Sequence, residues 1–374
     1  MKAVVEQPIL LRVLRVADLL ISHRFHPLAE LILVTVESET RLRVSAAGLG
    51  MSVHAWCEIR DGVPGWTIVN RESFKDWVSL VKGTIVLSKE NMSLKAESDR
   101  SSAWFRDMVA PSSFPEPRPH EQRLSLSGAE FVRATEKGGF AIARDEARPI
   151  LTGLLIKAQD DRVVFVSCDG YRLAEASCPL PLPVSKPFLV VIPHIEAVKS
   201  LVSLISGNVS MALGDGWVVF RSENTSGLAG QIEITPLDGV FPDYEPLLPQ
   251  KFLATATAPL LDLLQAVKIA HVVSGDQDVV ELALNPSTGT VIVSAASELD
   301  GNGTSLIEVT THPDGTETFV SVCGAWVIQG LQAIKSAGTD TVVLGYGGPT
   351  QPLTLVGEGW RYVIMPRTIS PKPR

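Results

Sequence analysis

Apolar residues return every three to four positions in six separate stretches of the chain, beginning near Pro8, Asn70, Ser127, Pro193, Thr257 and Cys323. That period belongs to an amphipathic helix. It predicts helices over 8–21, 70–82, 127–138, 193–206, 257–270 and 323–335. In the second of these, Phe74, Trp77, Val78 and Val81 form the apolar stripe, while Arg71, Lys75 and Lys82 fall on another face. Start signals accompany several: Asn70 as an N-cap, Ser127 with Glu130 as a capping box, Pro193 near a first turn, and Thr257 followed by Pro259. Between the helices lie short alternating or wholly apolar runs that read as strands. They are Leu31–Val36, Thr84–Leu87, Val163–Ser167, Phe188–Ile192, Val209–Leu213, Trp217–Arg221, Val291–Ala295 and Thr341–Leu344.

The six helix starts are spaced by roughly 57–66 residues, a repeat of one helix plus several strands. One helix on a small sheet buries little, so the units are expected to pair two by two around shared cores. The fold class that follows is α+β, with three similar domains built from six helix-plus-sheet half-units. Proline clusters mark the joints: Pro111, Pro115, Pro117 and Pro119 before Ser127, and Pro242, Pro246 and Pro249 before Thr257. Proline suits an extended connector and is poor inside either regular element. The two connectors resemble each other, Ser113-Phe114-Pro115-Glu116 answering Val240-Phe241-Pro242-Asp243. Domains are therefore expected at 1–122, 123–250 and 251–374.

Of the 374 residues, 45% are hydrophobic and 20% charged, and mean hydropathy is +0.20, which suits a well-cored globular chain and excludes a disordered or collagen-like one. No apolar run nears the roughly 18 residues of a membrane helix. Glu6, Arg12 and Arg15 break up any secretory signal, so a cytoplasmic protein is expected. Cys57, Cys168, Cys178 and Cys323 are widely separated and read as isolated reduced thiols. The net charge of −8 argues against non-specific coating of nucleic acid by the whole surface. The helical segments differ from the rest: they carry ten cations against seven acids, a balance of +3 that leaves −11 elsewhere. If their faces point one way, they form a positive track that attracts phosphates without reading bases.

Catalytic chemistry is not evident. There is no HExxH, GxSxG, GxxxxGK[ST] or strand-borne GxGxxG. His23 and His26 sit beside Pro27 with no third ligand in view, so no metal site and no cofactor are expected. A hydrolase or transferase on a repeated scaffold is supported only by the abundance of carboxylates.

Four segments carry a resemblance: Arg148-Pro-Ile-Leu-Thr-Gly-Leu-Leu-Ile, Val164-Phe-Val-Ser-Cys-Asp-Gly-Tyr-Arg-Leu-Ala, Asp238-Gly-Val-Phe-Pro-Asp-Tyr-Glu-Pro-Leu-Leu-Pro, and the closing Tyr362-Val-Ile-Met-Pro-Arg. In this order and at these separations they resemble the bacterial sliding clamp family, the beta subunit of DNA polymerase III. The first third matches more loosely, through Met1-Lys2, Arg24, Ala47-Gly-Leu-Gly-Met-Ser-Val and Ser113-Phe-Pro. The resemblance implies a non-catalytic processivity factor. Two chains would join head to tail as a homodimeric ring, with helices lining the hole and sheets outside, around duplex DNA held without sequence specificity. It also implies as partners a clamp loader, the polymerase catalytic subunit and other clients, which bind through a short peptide of the Gln-x-x-Leu-Phe kind.

The positions matching the family's hydrophobic peptide pocket are Leu151, Cys168, Asp169, Gly170, Tyr171, Arg172, Leu173, Pro242, Pro246, Leu247, Val363, Met365, Pro366 and Arg367. Candidate DNA contacts are Arg24, Arg71, Lys75, Arg133, Lys137 and Lys199, with Arg144 and Arg148 near the lining by analogy. Two departures bear on client preference. Pro246 stands where the family often has a basic residue, and the chain continues past Arg367 into a basic, proline-rich tail. Both also fit a diverged second clamp serving repair or inhibitor resistance.

Overall fold

The computed structural model describes residues 1–20, 28–108, 112, 114–214, 216–249, 251–311, 315–336 and 338–367. Arg24, the His23/His26 pair and the tail from Thr368 lie outside these residues.

Six helices occur among the described residues: α1 Gln7–Ala17, α2 Arg71–Leu80, α3 Gly128–Gly139, α4 Ile195–Ile205, α5 Leu260–Val272 and α6 Gly324–Lys335. Two begin on the side-chain caps that the sequence announces. Asn70 Oδ1 accepts the Ser73 N–H at 2.9 Å. Ser127 Oγ accepts the Glu130 N–H at 3.2 Å while its hydroxyl donates to the Glu130 carboxylate at 2.6 Å. The fifth helix starts three residues later than Thr257. Ala254–Pro259 is a strand, paired with Thr341–Tyr346, and the helix begins only after Pro259. The alternation Ala-Thr-Ala-Thr-Ala puts the alanines inward on the sheet, and this outweighs Thr257 as a cap. The fourth helix begins after His194, which takes a left-handed conformation with φ +58°.

The strands form four sheets among the described residues, of five, eight, nine and four strands. The two large ones each run through a junction between consecutive thirds of the chain. At the first junction Met51–Glu58 pairs antiparallel with Ala229–Ile234, matching Val53 to Ile232. At the second, Arg172–Pro179 pairs antiparallel with Trp360–Ile364, matching Leu173 to Val363. Helices pack within thirds, α1 on α2, α3 on α4 and α5 on α6, and across junctions, α1 on α4 and α3 on α6. The helical layer therefore runs in the order α2, α1, α4, α3, α6, α5 along one side of the sheets.

The main cores lie between helices and sheets. Leu10, Phe74, Phe131 and Val198 belong to one continuous buried cluster, and Leu263, Val327 and Tyr362 to another. Two smaller clusters lie apart from these, and each holds a connector phenylalanine. Phe114 packs with Leu31, Leu33 and Ile68. Phe241 packs with Leu151, Leu173, Leu248 and Val363. The connector likeness read in the sequence thus has a physical basis: each connector is pinned by one buried aromatic side chain.

Each sheet has two end strands, and among them are Ser101–Arg106 in the five-stranded sheet and Gly301–Glu308 in the four-stranded sheet. Among the described residues no helix is long and apolar enough to cross a membrane.

Candidate peptide-binding groove

The second junction carries an open groove of about 830 Å³. One wall is the loop Cys168–Arg172, whose shape follows from its own residues. The Asp169 carboxylate accepts the N–H groups of Tyr171 and Arg172, each at 3.0 Å, and the Arg172 Nε at 2.8 Å. Gly170 takes φ +92°, and a Cβ there would come within 2.6 Å of the Arg148 guanidinium. Only glycine meets both demands without displacing that side chain. Asp169 is therefore a brace whose charge is spent on the loop, and the Asp-Gly pair is a turn with a second duty.

Arg172 continues across the junction, donating through Nη1 to Gln329 Oε1 at 2.5 Å. Tyr171 stacks on Trp326 of α6, ring centroids 6.0 Å apart, and its carbonyl accepts the Met365 N–H at 2.8 Å. Burial raises the pKa of the Cys168 thiol, which keeps it protonated and apolar in the wall. Beneath, Leu173 and Val363 face each other across the sheet, with Leu151 sealed below them. The other wall is the connector Pro246–Pro249 with Lys251. Leu247 and Met365 are left 67% and 45% exposed, so two large apolar side chains stand in solvent at the rim of a concave site.

Nine of the fourteen pocket residues read from the sequence line this groove: Cys168, Gly170, Tyr171, Arg172, Leu173, Pro246, Leu247, Val363 and Met365. Leu151 and Asp169 support it from beneath and from within the loop. Pro242 is not brought to it and lines a separate cavity of about 210 Å³ beside Phe241 and Tyr244. Pro366 is not on the lining. Arg367 turns away: its N–H donates to the Ser321 carbonyl at 2.7 Å, and its guanidinium donates to the Gln277 carbonyl and lies over Trp326. The lining also includes Leu248, Pro249, Lys251 and the turn Gly347–Pro352, which the sequence reading missed. That turn lies over a hundred residues from Tyr171 and has no motif of its own. Trp326 could have been suspected, being a bulky aromatic in a first helical turn.

The candidate phosphate contacts are less uniform. Arg71 and Lys75 both pair with Asp18 at the end of α1. Lys199 pairs with Glu196 in its own helix at 3.0 Å. Arg133 and Lys137 line a polar cavity of about 470 Å³ with Arg162, Glu130 and Glu358. Burial lowers the Lys137 pKa, and its Nζ donates to the Glu358 carbonyl at 3.3 Å. Arg144 is exposed, while Arg148 braces Gly170 and donates to the Asp169 carbonyl at 3.3 Å. Arg15, Lys82, Lys268 and Lys335 are exposed on or beside the helices. Among the described residues no three His, Cys, Asp or Glu side chains converge as metal ligands.

Residues 125–243 match the family model described as the DNA polymerase III beta subunit, central domain. The match covers the Cys168–Arg172 loop and stops within the second connector. Over that third of its length the chain is similar to the central domain of bacterial beta sliding clamps. It is 24% identical over 357 residues to the beta sliding clamp of Synechococcus elongatus, covering 91% of this chain and 92% of that one. The Streptomyces coelicolor beta sliding clamp is 26% identical over 273 residues, 68% of this chain and 69% of the relative. Among solved structures, the DNA polymerase sliding clamp of Pseudomonas aeruginosa superposes with a TM-score of 0.87 at 20% identity, over 99% of this chain and 100% of that one. Helices on one side of continuous sheets, three pairs of half-units and a fully spanned partner chain are thus those of a sliding-clamp fold.

Proposed function

We propose that this protein is a DNA sliding clamp that encircles duplex DNA as a head-to-tail pair of chains and tethers a polymerase and other clients through the groove at the second junction. The observation that carries this reading is the groove itself: a concave apolar site on a clamp fold, built from the loop and the C-terminal strand that the family motif names. An extended peptide can anchor two or three apolar side chains against Leu173, Val363, Leu247 and Met365. The flexible Met365 adapts to their shape.

The division into domains at 1–122, 123–250 and 251–374 belongs to the same reading. So does the ring: its ends offer two surfaces, each with an unpaired edge strand. One has the edge strand Ser101–Arg106 with exposed Leu80 and Trp104. The other has the edge strand Gly301–Glu308 with exposed Leu306, Leu261 and Ile269, above a hollow of about 790 Å³. Unpaired edges flanked by apolar side chains call for a partner, and a heterologous contact that closes after two copies supplies one. Enclosure holds such a ring on DNA, so the lining needs only diffuse phosphate attraction. Exposed Arg133 and the partly tied Arg71, Lys75, Lys137 and Lys199 supply part of it, with Arg144 and Arg148 nearby and Arg24 by the family likeness. This work is positional, and no catalytic residue takes part in it.

The test combines sizing with a fluorescence-anisotropy titration of a labelled Gln-x-x-Leu-Phe peptide. The expected result is a species of two 40.3 kDa chains that binds the peptide saturably, with at least about a tenfold loss of affinity in Leu247→Asp or Met365→Asp and no change in Tm. A folded monomer that ignores the peptide would overturn the proposal.

A further inference from the structure

The groove's charge is unlike that of the rest of the molecule. On a chain of net charge −8, its lining holds two cations, Arg172 and Lys251, and no carboxylate. Arg172 is committed to Asp169 and Gln329. Lys251 is exposed and has no ion-pair partner among the described residues.

Its location is nevertheless set by the backbone. On one side Leu248 is buried in the cluster with Phe241. On the other, the Leu253 N–H donates to the Tyr346 carbonyl at 2.7 Å, and Phe252 packs so closely on Gly345 that a Cβ there would lie 2.5 Å from its ring. The ammonium is therefore tethered at the end of the groove closed by Gly347–Pro352. Pro246, Pro249 and Pro352 on the lining have no N–H, and the Gln351 N–H is taken by the Gly348 carbonyl at 3.1 Å. Lys251 is the cation that a polar group on an occupant at that end can meet.

We propose that Lys251 is a specificity residue of the groove, selecting occupants that carry a carboxylate beside their apolar anchors. The inference rests on the reading of the groove as a client site. The carboxylate can belong to an internal Asp or Glu, or to the C-terminus of a peptide. The adjoining Glu245 does not compete, since it is held by Lys157 at 2.7 Å.

The experiment is a charge-swap cycle on the full-length protein. Labelled Gln-x-x-Leu-Phe peptides with Asp, Asn or Lys at each x position, C-terminally amidated or free, are titrated into wild type and Lys251→Glu. For wild type the expected order is Asp tighter than Asn tighter than Lys, spanning roughly fivefold as an exposed pair allows and collapsing at high salt. Lys251→Glu should reverse the order without altering Tm. If the free C-terminus is the source, the amidated peptides show no order and the free ones bind more tightly. Equal affinity of all peptides for wild type and variant, with the Asn peptide still lost in Leu247→Asp, would overturn the role of Lys251 and leave the client groove standing. Binding of no peptide at all would overturn both.

Discussion

The two junctions between consecutive thirds of the chain are built to one plan and finished differently. In both, two half-sheets join edge to edge, four strands with four at the first and four with five at the second, and a proline-rich connector crosses nearby, pinned by a buried phenylalanine, Phe114 or Phe241. At the first junction the paired residues include His54 with Gln231 and Ser52 with Glu233. The Glu233 carboxylate is fully buried and accepts from Ser52 Oγ at 3.0 Å, Gln231 Nε2 at 2.9 Å and the Arg118 N–H at 2.7 Å, with Arg118 Nε at 3.3 Å. Arg43 holds the same connector through Glu116 at 2.7 Å. At the second junction the matching place is apolar, Leu173 against Val363, and the connector stands off to leave the groove. A corner becomes a lid or a site according to what its connector is bonded to. Polar residues under the strap lock it down, and apolar residues with prolines in the strap leave it open.

The largest effects are expected at the two anchors. Phe114→Ala and Phe241→Ala should each cost about 3–5 kcal/mol in denaturant unfolding, as buried phenylalanines do. Only the second should weaken peptide binding in anisotropy. Equal loss of peptide affinity in both would erase the distinction between the corners.

Glu233→Ala comes next. Removing one acceptor strands Ser52, Gln231 and Arg118 donors, at a cost of about 3 kcal/mol in the same unfolding experiment. Peptide affinity of the folded variant should be unchanged. A cost below about 1 kcal/mol would mean that the polar network does not lock the first corner.

The smallest effect is a pH dependence confined to the locked corner. Burial, helped by the Arg43 charge, lowers the pKa of His54 from 6.5 to about 3. Ser45 and Glu233 also face this ring. The unfolded chain therefore takes up a proton that the folded chain refuses. The contribution to stability is present above pH 6.5 and is lost as pH falls toward 3, at about 1.4 kcal/mol per pH unit. By pH 5 wild type should have lost about 2 kcal/mol more than His54→Gln. Parallel stability curves for the two proteins would contradict a buried neutral His54.

Much of this was legible in the sequence because it is local. Helix caps at Asn70 and Ser127, the apolar stripe of the second helix and the Phe-Pro connectors each announce themselves within a few residues. The groove was legible where its residues share one motif, as Cys168–Leu173 do, and where the C-terminal strand follows a family pattern. It was not legible where distant segments meet. The Gly347–Pro352 turn reaches the groove only through sheet register, and Arg367 is drawn from it by Trp326 and Gln277. The surroundings of the charged track were hidden for a related reason. A helix wheel shows Arg71 and Lys75 on one face, but not that Asp18 of a neighbouring helix end is aimed at both.

Hydrogen exchange of the intact protein, with and without saturating Gln-x-x-Leu-Phe peptide, tests the contrast between the corners most directly. The account predicts new protection in 168–173, 246–253 and 361–366, and none in 51–58, 114–118 or 229–234. Protection at the first junction, or an unchanged pattern at the second under saturating peptide, would contradict it.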